Sequence, residues 1–293
     1  MGAAHPEAEE TSRAQSRPGV SDSRRTARYG SAVTRPRRPR RRSVIAGILL
    51  GAFVVAGLAG AQASGILFRN RPQAASIESA LRQFRENDRD AKELEGVYVY
   101  ATTGGESVDV LGGSRHHYPA RTSITARRVA CGLELDWAAL VGRATTWTLC
   151  STDAGIELRG SDERHKFFWQ SDRTTYVCEG AVLVPAGDAA AAAAERDFTC
   201  TAPKARETGR TETVGPETIA VGGTAVATIH VRTVGTVSGE NLGTETADWW
   251  LDTATALPVR IVLQSRTSRK TIVGVAHYNE AAELRLLSTT PEH

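Results

Sequence analysis

The sequence predicts a mainly β (α+β) protein with an antiparallel sheet, preceded by a transmembrane helix and a disordered tail. The first observation is charge segregation in this 293-residue chain: residues 43–68 carry no charged side chain, whereas residues 1–42 carry eleven Arg. The second is that the apolar pattern after Gly96 repeats every two residues, between Gly, Pro and Asp turn signals. An apolar content of 41% and a charged content of 24% exclude collagen, a coiled coil and a wholly disordered chain.

Residues 1–42 are predicted to be a disordered cytoplasmic tail. They contain eleven Arg, four acidic residues and only one aromatic, Tyr29, so they cannot bury enough apolar surface to offset the entropy of ordering. The run of Arg side chains from Arg35 to Arg42 lies next to the apolar segment, where it fixes orientation and contacts anionic lipid. This position favours membrane contact over nucleic-acid binding.

Residues 43–68 are predicted to be a single transmembrane helix. The run of 26 uncharged residues exceeds the ~20 residues that a helix needs to cross a bilayer. Because the Arg-rich flank precedes it, the N-terminus is placed in the cytoplasm and the C-terminal domain outside the cell membrane. A cleaved signal peptide is the alternative, since Ala61-Gln62-Ala63 has the form of a cleavage site. The length of the apolar run and of the region before it favours the uncleaved anchor.

Residues 69–95 are predicted to hold a juxtamembrane amphipathic helix. Ile77, Leu81, Phe84 and Leu94 follow helical spacing. Ser76 is the expected N-cap, and Gly96 is the expected end of the helix. The helix is either a solvated stalk or packed on the domain that follows.

Residues 96–290 are predicted to form an exported antiparallel β domain of about ten strands. Val97 to Tyr100 begins the first strand, and the glycine pair at 104–105 is expected to turn the chain. Residues 185–197, which are rich in Ala, are expected to be a loop or a single helical turn. Residues 201–216 are polar and are expected to connect two halves. The clearest hairpin is centred on Gly222 and Gly223, and a final meander follows it.

The cysteines predict two disulfides. All four lie in the exported part, where an even number indicates pairing. Of the three possible connectivities we favour the sequential one, Cys131–Cys150 and Cys178–Cys200. No C-x-x-C motif occurs and no His lies three to five residues from a Cys, so a metal site is not expected.

The C-terminal part resembles a known superfamily. The segment ADWWLDTATALPVRIVLQSR, followed by AHYNE and AELRLLS, resembles the last strands of the LolA-like lipoprotein-carrier superfamily, which includes mycobacterial lipid-binding lipoproteins. The resemblance covers about residues 214–290; the first half of the domain looks like uncharacterised actinobacterial membrane proteins. It implies a strongly curved antiparallel sheet, a half-barrel with one or few capping helices, whose concave side holds acyl chains. Candidate contacts for an apolar ligand are Trp249, Trp250, Val259, Ile261 and Leu263.

No motif for catalysis or for a cofactor is found. The chain has no G-x-S-x-G elbow, and its glycine pairs lie between strand-like runs rather than in a phosphate loop. Adjacent His116 and His117 would point to opposite faces of a strand. We therefore expect no enzyme activity, no cofactor and no bound metal.

Three functional hypotheses follow. The first is a membrane-anchored cell-envelope protein that binds a lipid or another apolar ligand. The second is a non-enzymatic interaction or scaffold module with a filled core and an envelope protein partner. The third is an envelope enzyme, which requires a cleft where His165 or His277 meets carboxylates.

Overall fold

The computed structural model describes residues 72–88, 93–168, 170–187 and 194–293. These residues contain one α-helix and fourteen β-strands. The helix α1 is Ile77–Asn87. The strands are β1 Gly96–Val108, β2 Ser114–His117, β3 Arg121–Val129, β4 Gly132–Leu140, β5 Arg143–Thr152, β6 Gly155–Phe167, β7 Gln170–Glu179, β8 Val182–Pro185, β9 Glu195–Thr201, β10 Ala205–Val221, β11 Thr224–Gly239, β12 Asn241–Asp252, β13 Pro258–Thr271 and β14 Gly274–Leu286.

All strands belong to one antiparallel sheet that closes on itself. Neighbouring strands follow chain order from β3 to β7 and from β9 to β14, and β7 pairs with β9. One edge of β1 pairs with β3 and β2, and the other edge pairs with β14. The predicted mainly β fold with a curved antiparallel sheet is therefore confirmed. The pairing of the first strand with the last goes beyond the expected half-barrel.

Apolar side chains at alternate positions fill one end of the space that the sheet encloses. Trp137 stacks on Trp147 with ring centroids 6.2 Å apart, and Trp147 packs edge-on against Trp249 at 5.2 Å. Leu135, Ile261 and many other buried side chains complete this core. Such packing of large apolar surface supplies most of the stabilisation of the domain.

The amphipathic helix is present, but its predicted end at Gly96 is wrong. Ser76 is the N-cap, and its Oγ accepts from the Ser79 N–H at 3.2 Å. The helix ends at Asn87, where the backbone N–H of Asp88 donates back to the Phe84 carbonyl oxygen. Buried Phe84 lies 5.9 Å from the ring of His293, so the helix packs on the domain rather than standing as a solvated stalk.

Two other expectations about the strands are wrong. The glycines at 104–105 lie inside β1, because a Cβ at Gly104 would overlap the backbone carbonyl oxygen of Ala281 on β14. Residues 201–216 complete β9 and form most of β10, where polar side chains occupy both the exposed and the inward positions. In the final meander the chain turns between Thr271 and Gly274, so that β13 and β14 are separate strands. The described strands therefore exceed the predicted ten.

The two disulfides have the predicted sequential pairing. Cys131 is bonded to Cys150 and Cys178 to Cys200, with Cα atoms 4.8 Å and 4.0 Å apart. Cys178 and Cys200 are directly opposite on β7 and β9, where the register overlaps for only three residue pairs. The bond therefore reinforces the shortest pairing in the closed circuit of strands.

The predicted tail, residues 1–42, and the predicted transmembrane segment, residues 43–68, lie outside the described residues. Among the residues that the structure does describe, no helix is long and apolar enough to cross a membrane. Residues 188–193, part of the predicted Ala-rich loop, are also outside the described ranges.

Candidate functional site

The closed sheet contains an internal cavity of about 720 Å³. Its lining is mainly apolar and includes Trp147, Leu158, Phe198, Trp249 and Leu263. The lining of the cavity extends to the end of the sheet where residues 271–274 turn the chain. Residues 141–142 turn the chain at the same end, which we call the mouth end. Its volume lies within the ~300–1,000 Å³ typical of ligand pockets.

An ion pair forms part of the cavity wall. Arg143, at the start of β5, donates from Nε and Nη2 to the two carboxylate oxygens of Glu280 on β14, at 3.1 and 2.9 Å. Both side chains are buried. Burial opposes ionisation of Glu280, but the Arg143 charge outweighs it and lowers the pKa of this carboxyl. The guanidinium also lies 5.2 Å from the centre of the Trp137 ring. The pair thus lies between the cavity and the apolar core, in contact with both.

A second buried carboxylate, Glu106 on β1, holds two histidines. Its Oε1 lies 2.9 Å from His116 Nδ1, and its Oε2 lies 3.3 Å from His165 Nδ1. Burial opposes ionisation, but the two imidazole hydrogen bonds and the nearby charges of His165 and Arg143 lower the pKa of Glu106 to about 2. Since an ionised carboxylate only accepts, both imidazoles donate from Nδ1.

Two tyrosines donate to these carboxylates, and one of them, Tyr278, contacts both. Tyr278 OH donates to Glu280 Oε2 at 2.9 Å and lies 3.1 Å from Glu106 Oε2. Tyr118 OH donates to the other oxygen of Glu280. Burial, then the adjacent carboxylates, raise the pKa of both phenols, so they stay protonated donors. We call Glu106, Tyr118, Arg143, His165, Tyr278 and Glu280 the ion cluster.

Three further glutamates, Glu163, Glu207 and Glu245, face the cavity and form its carboxylate group. Burial, followed by repulsion from Glu163, raises the pKa of Glu207 to about 7. The same two causes raise the pKa of Glu245 well above its usual range, although Ser265 donates to it at 3.0 Å. A Cβ at Gly235 would overlap the Glu207 carboxylate, so the glycine makes room for that side chain. The cavity therefore favours an uncharged or cationic guest over an anion.

The five predicted ligand contacts are placed differently from one another. Trp249 and Leu263 line the cavity. Val259 and Ile261 are buried in the apolar core instead. Trp250 faces the outside of the sheet, where its ring stacks on His230 at 4.0 Å and lies under the Arg260 guanidinium at 4.3 Å. Two of the five are thus in position to contact a bound molecule.

The histidines named in the sequence analysis lie in three different surroundings. His116 is buried and its neighbour His117 is exposed, as expected for adjacent strand residues. His165 meets Glu106 and lines the cavity, whereas His277 pairs with Asp109 at 2.7 Å on the exposed rim. The condition set for the enzyme hypothesis, a histidine beside carboxylates in a cleft, is met by His165. Within the described ranges no group of three or more His, Cys, Asp or Glu side chains is arranged to hold a metal ion.

Sequence reasoning missed the charged side chains of the cavity. Glu106, Arg143 and Glu280 are among the charged residues that are buried, and all occupy inward positions of strands. The sequence does carry one signal for them: each is a charged residue in a strand, at a position where the alternation otherwise places buried side chains.

The comparisons with known proteins give little further information. No family model matches the chain, and no curated protein matches it. Among solved structures it is similar to the hypothetical lipoprotein YmcC from Escherichia coli (K12), with 12% identity and a TM-score of 0.33, over 75% of this chain and 99% of that one. A likeness of this degree says nothing about ligand or activity, so the function is argued from the cavity.

Proposed function

We propose that this protein binds an apolar molecule inside its closed sheet. The observation that carries the proposal is the cavity of about 720 Å³ with an apolar, aromatic lining. Its presence disfavours the scaffold hypothesis, which required a filled core. The ion cluster and the carboxylate group supply the few polar groups that orient a guest in such sites.

The ligand class follows from the charges of the lining. Arg143 and Glu280 neutralise each other, and Glu106 is matched by His116 and His165. Glu163, Glu207 and Glu245 face the cavity without a comparable number of cations, and the raised pKa values of Glu207 and Glu245 show that further negative charge is disfavoured there. We therefore expect an apolar body with an uncharged or cationic polar group, and we expect fatty-acid anions to bind poorly.

We also propose that the chain is a single-pass cell-envelope protein with a cytoplasmic N-terminus. The uncharged segment 43–68 and its Arg-rich flank support this topology. The two disulfides in the described domain support an oxidising compartment for it. Protease added to intact cells is expected to digest the domain and leave the tail; an untouched domain would contradict the topology.

Ligand binding is tested by native mass spectrometry of the full chain released from detergent micelles. The wild type should retain an apolar adduct. Ala247→Phe, which puts a ring into the cavity, should lose most of it. Thr244→Phe on the outer face of the same strand is the control and should keep it. An adduct that is absent from the wild type, or equally abundant in all three proteins, overturns the proposal.

A further inference from the structure

Five of the nine large apolar side chains that are exposed among the described residues lie at the mouth end of the sheet. Val141, Leu242, Ile272, Val273 and Val275 are each at least half exposed, and Ile272 is fully exposed. Val141 lies in the turn after β4, Leu242 at the start of β12, and the other three in or beside the turn between β13 and β14. Side chains of this kind at loop tips are costly in water and indicate a surface that is covered in use.

The rim of the cavity is part of the same surface. Ile272 and Val273 also line the cavity, as do Val110 and Leu111 from the turn after β1. Ile272 and Val273 at the tip of the β13–β14 hairpin are therefore part of both the exposed apolar surface and the cavity lining.

Two lysines at this end are left without an acidic partner in the described part of the chain. Arg269 pairs with Asp172 at 3.1 Å and with Glu240 at 2.7 Å. Among the described residues, Lys166 and Lys270 take part in no ion pair. Unpaired lysines beside exposed apolar tips suit an anionic membrane surface, because attraction to anionic lipid contributes ~1 kcal/mol of binding free energy per basic residue.

The chain also enters the domain at this end. The Gln73 carbonyl oxygen accepts from the Val141 N–H at 2.9 Å, and Ala74 bridges to Leu140. From Phe68, the end of the proposed anchor, to Gln73 is five residues, which span at most ~17 Å when fully extended. An anchor in the bilayer therefore keeps the mouth end close to the membrane surface.

We infer that the mouth end is a bilayer-contacting surface, with the tip of the β13–β14 hairpin inserted among lipid headgroups and the cavity opening toward the membrane. An apolar guest then passes between bilayer and cavity without crossing water, which removes the main free-energy cost of transferring it. This inference rests on the proposed anchor but does not require the ligand to be known.

The test uses the full chain in vesicles of phosphatidylcholine and phosphatidylglycerol, with a nitroxide attached to one introduced cysteine. The four native cysteines are all in disulfides, so a new thiol is labelled selectively. Ile272→Cys and Leu242→Cys report on the mouth end, and Ala254→Cys, in the turn after β12 at the opposite end, is the control. Collision with oxygen, which partitions into lipid, is compared with collision with a water-soluble nickel chelate.

The expected result is a ratio of oxygen to nickel collision several-fold higher at positions 272 and 242 than at 254. A ratio at 272 equal to that at 254 overturns the inference, because the tip is then in water. Low collision with both reagents at 272 also overturns it, in favour of a protein partner or a second copy of the chain. Failure of the protein to float with the vesicles would instead show that the proposed anchor is wrong.

Discussion

Replacement of Glu207 by glutamine measures how much the ionised Glu207 side chain destabilises the folded domain. Burial and the Glu163 charge raise the pKa of Glu207 from 4.5 to about 7. A raised carboxyl pKa means that the folded state binds the proton more tightly than the unfolded state does. The stabilisation of the folded state by the proton on Glu207 is therefore complete below about pH 4.5, and it is lost as the pH rises through about 7.

The free-energy cost of ionised Glu207 follows from how far its pKa is raised. At ~1.4 kcal/mol per pH unit, and discounted because the side chain is partly exposed, ionised Glu207 costs about 2 to 3 kcal/mol at alkaline pH. Glu207→Gln removes this cost, so it should stabilise the domain above about pH 8 and have little effect near pH 4. In a domain of this size the gain corresponds to roughly 4–10 °C in Tm.

The assay is thermal unfolding of the full chain, followed by far-UV circular dichroism across this pH range. Glu212→Gln is the matched control, since Glu212 lies on the same strand with an exposed side chain. The difference in Tm between Glu207→Gln and the wild type should grow with pH, and the control should show no such trend. A constant difference, or destabilisation by Glu207→Gln at alkaline pH, would refute the reasoning.

Three other changes test the packing of the domain. Arg143→Met should destabilise by about 3–5 kcal/mol, because Glu280 is left as an unpaired buried charge, and adding Glu280→Gln should recover part of the loss in thermal melts. Changing Cys178 and Cys200 together to Ala should cost about 3 kcal/mol in urea unfolding, since their bond closes a loop of 22 residues. Gly104→Ala should lower Tm, because the new Cβ overlaps the β14 backbone.

Each of these variants has a matched comparison. Arg285→Met removes an exposed partner of Glu283 and should change stability far less than Arg143→Met does, because solvent screens the pair. Gly274→Ala also has a positive φ but meets no neighbouring atom, so Gly104→Ala should be the more damaging of the two. Equal effects in either comparison would contradict the structural reason given. Reductant, which opens both disulfides, should destabilise the wild type at least as much as the Cys178 and Cys200 double variant.

How far the sequence predicts this domain depends on whether a signal is local. Alternation identified Val97 to Tyr100 and the hairpin at Gly222, since side-chain direction in a strand is set by its own backbone. It failed for the glycines at 104–105. A glycine pair is found both at turns and where another strand approaches closely, as β14 does here, and the sequence does not distinguish the two. Alternation also failed for residues 201–216, because inward side chains of β10, such as Glu207, Thr211 and Thr213, are themselves polar.

The candidate site was predictable only in part for a related reason. Trp249 and Leu263 lie in the apolar meander that the resemblance pointed to, and both line the cavity. Glu106 and Glu280 are 174 residues apart in the sequence, and only the pairing of β1 with β14 brings them to one hydroxyl, that of Tyr278.

By itself the sequence determined the segregation of charge, the strand-forming character of the domain and the presence of cysteines for two disulfides, because each depends on composition or short spacing. The tertiary structure alone decided that the sheet closes, that a cavity remains inside it, and that buried acids, Arg143 and His165 meet on its wall. Closure is a pairing between the two ends of the domain, and no local pattern encodes which distant strand will satisfy the backbone hydrogen bonds of another.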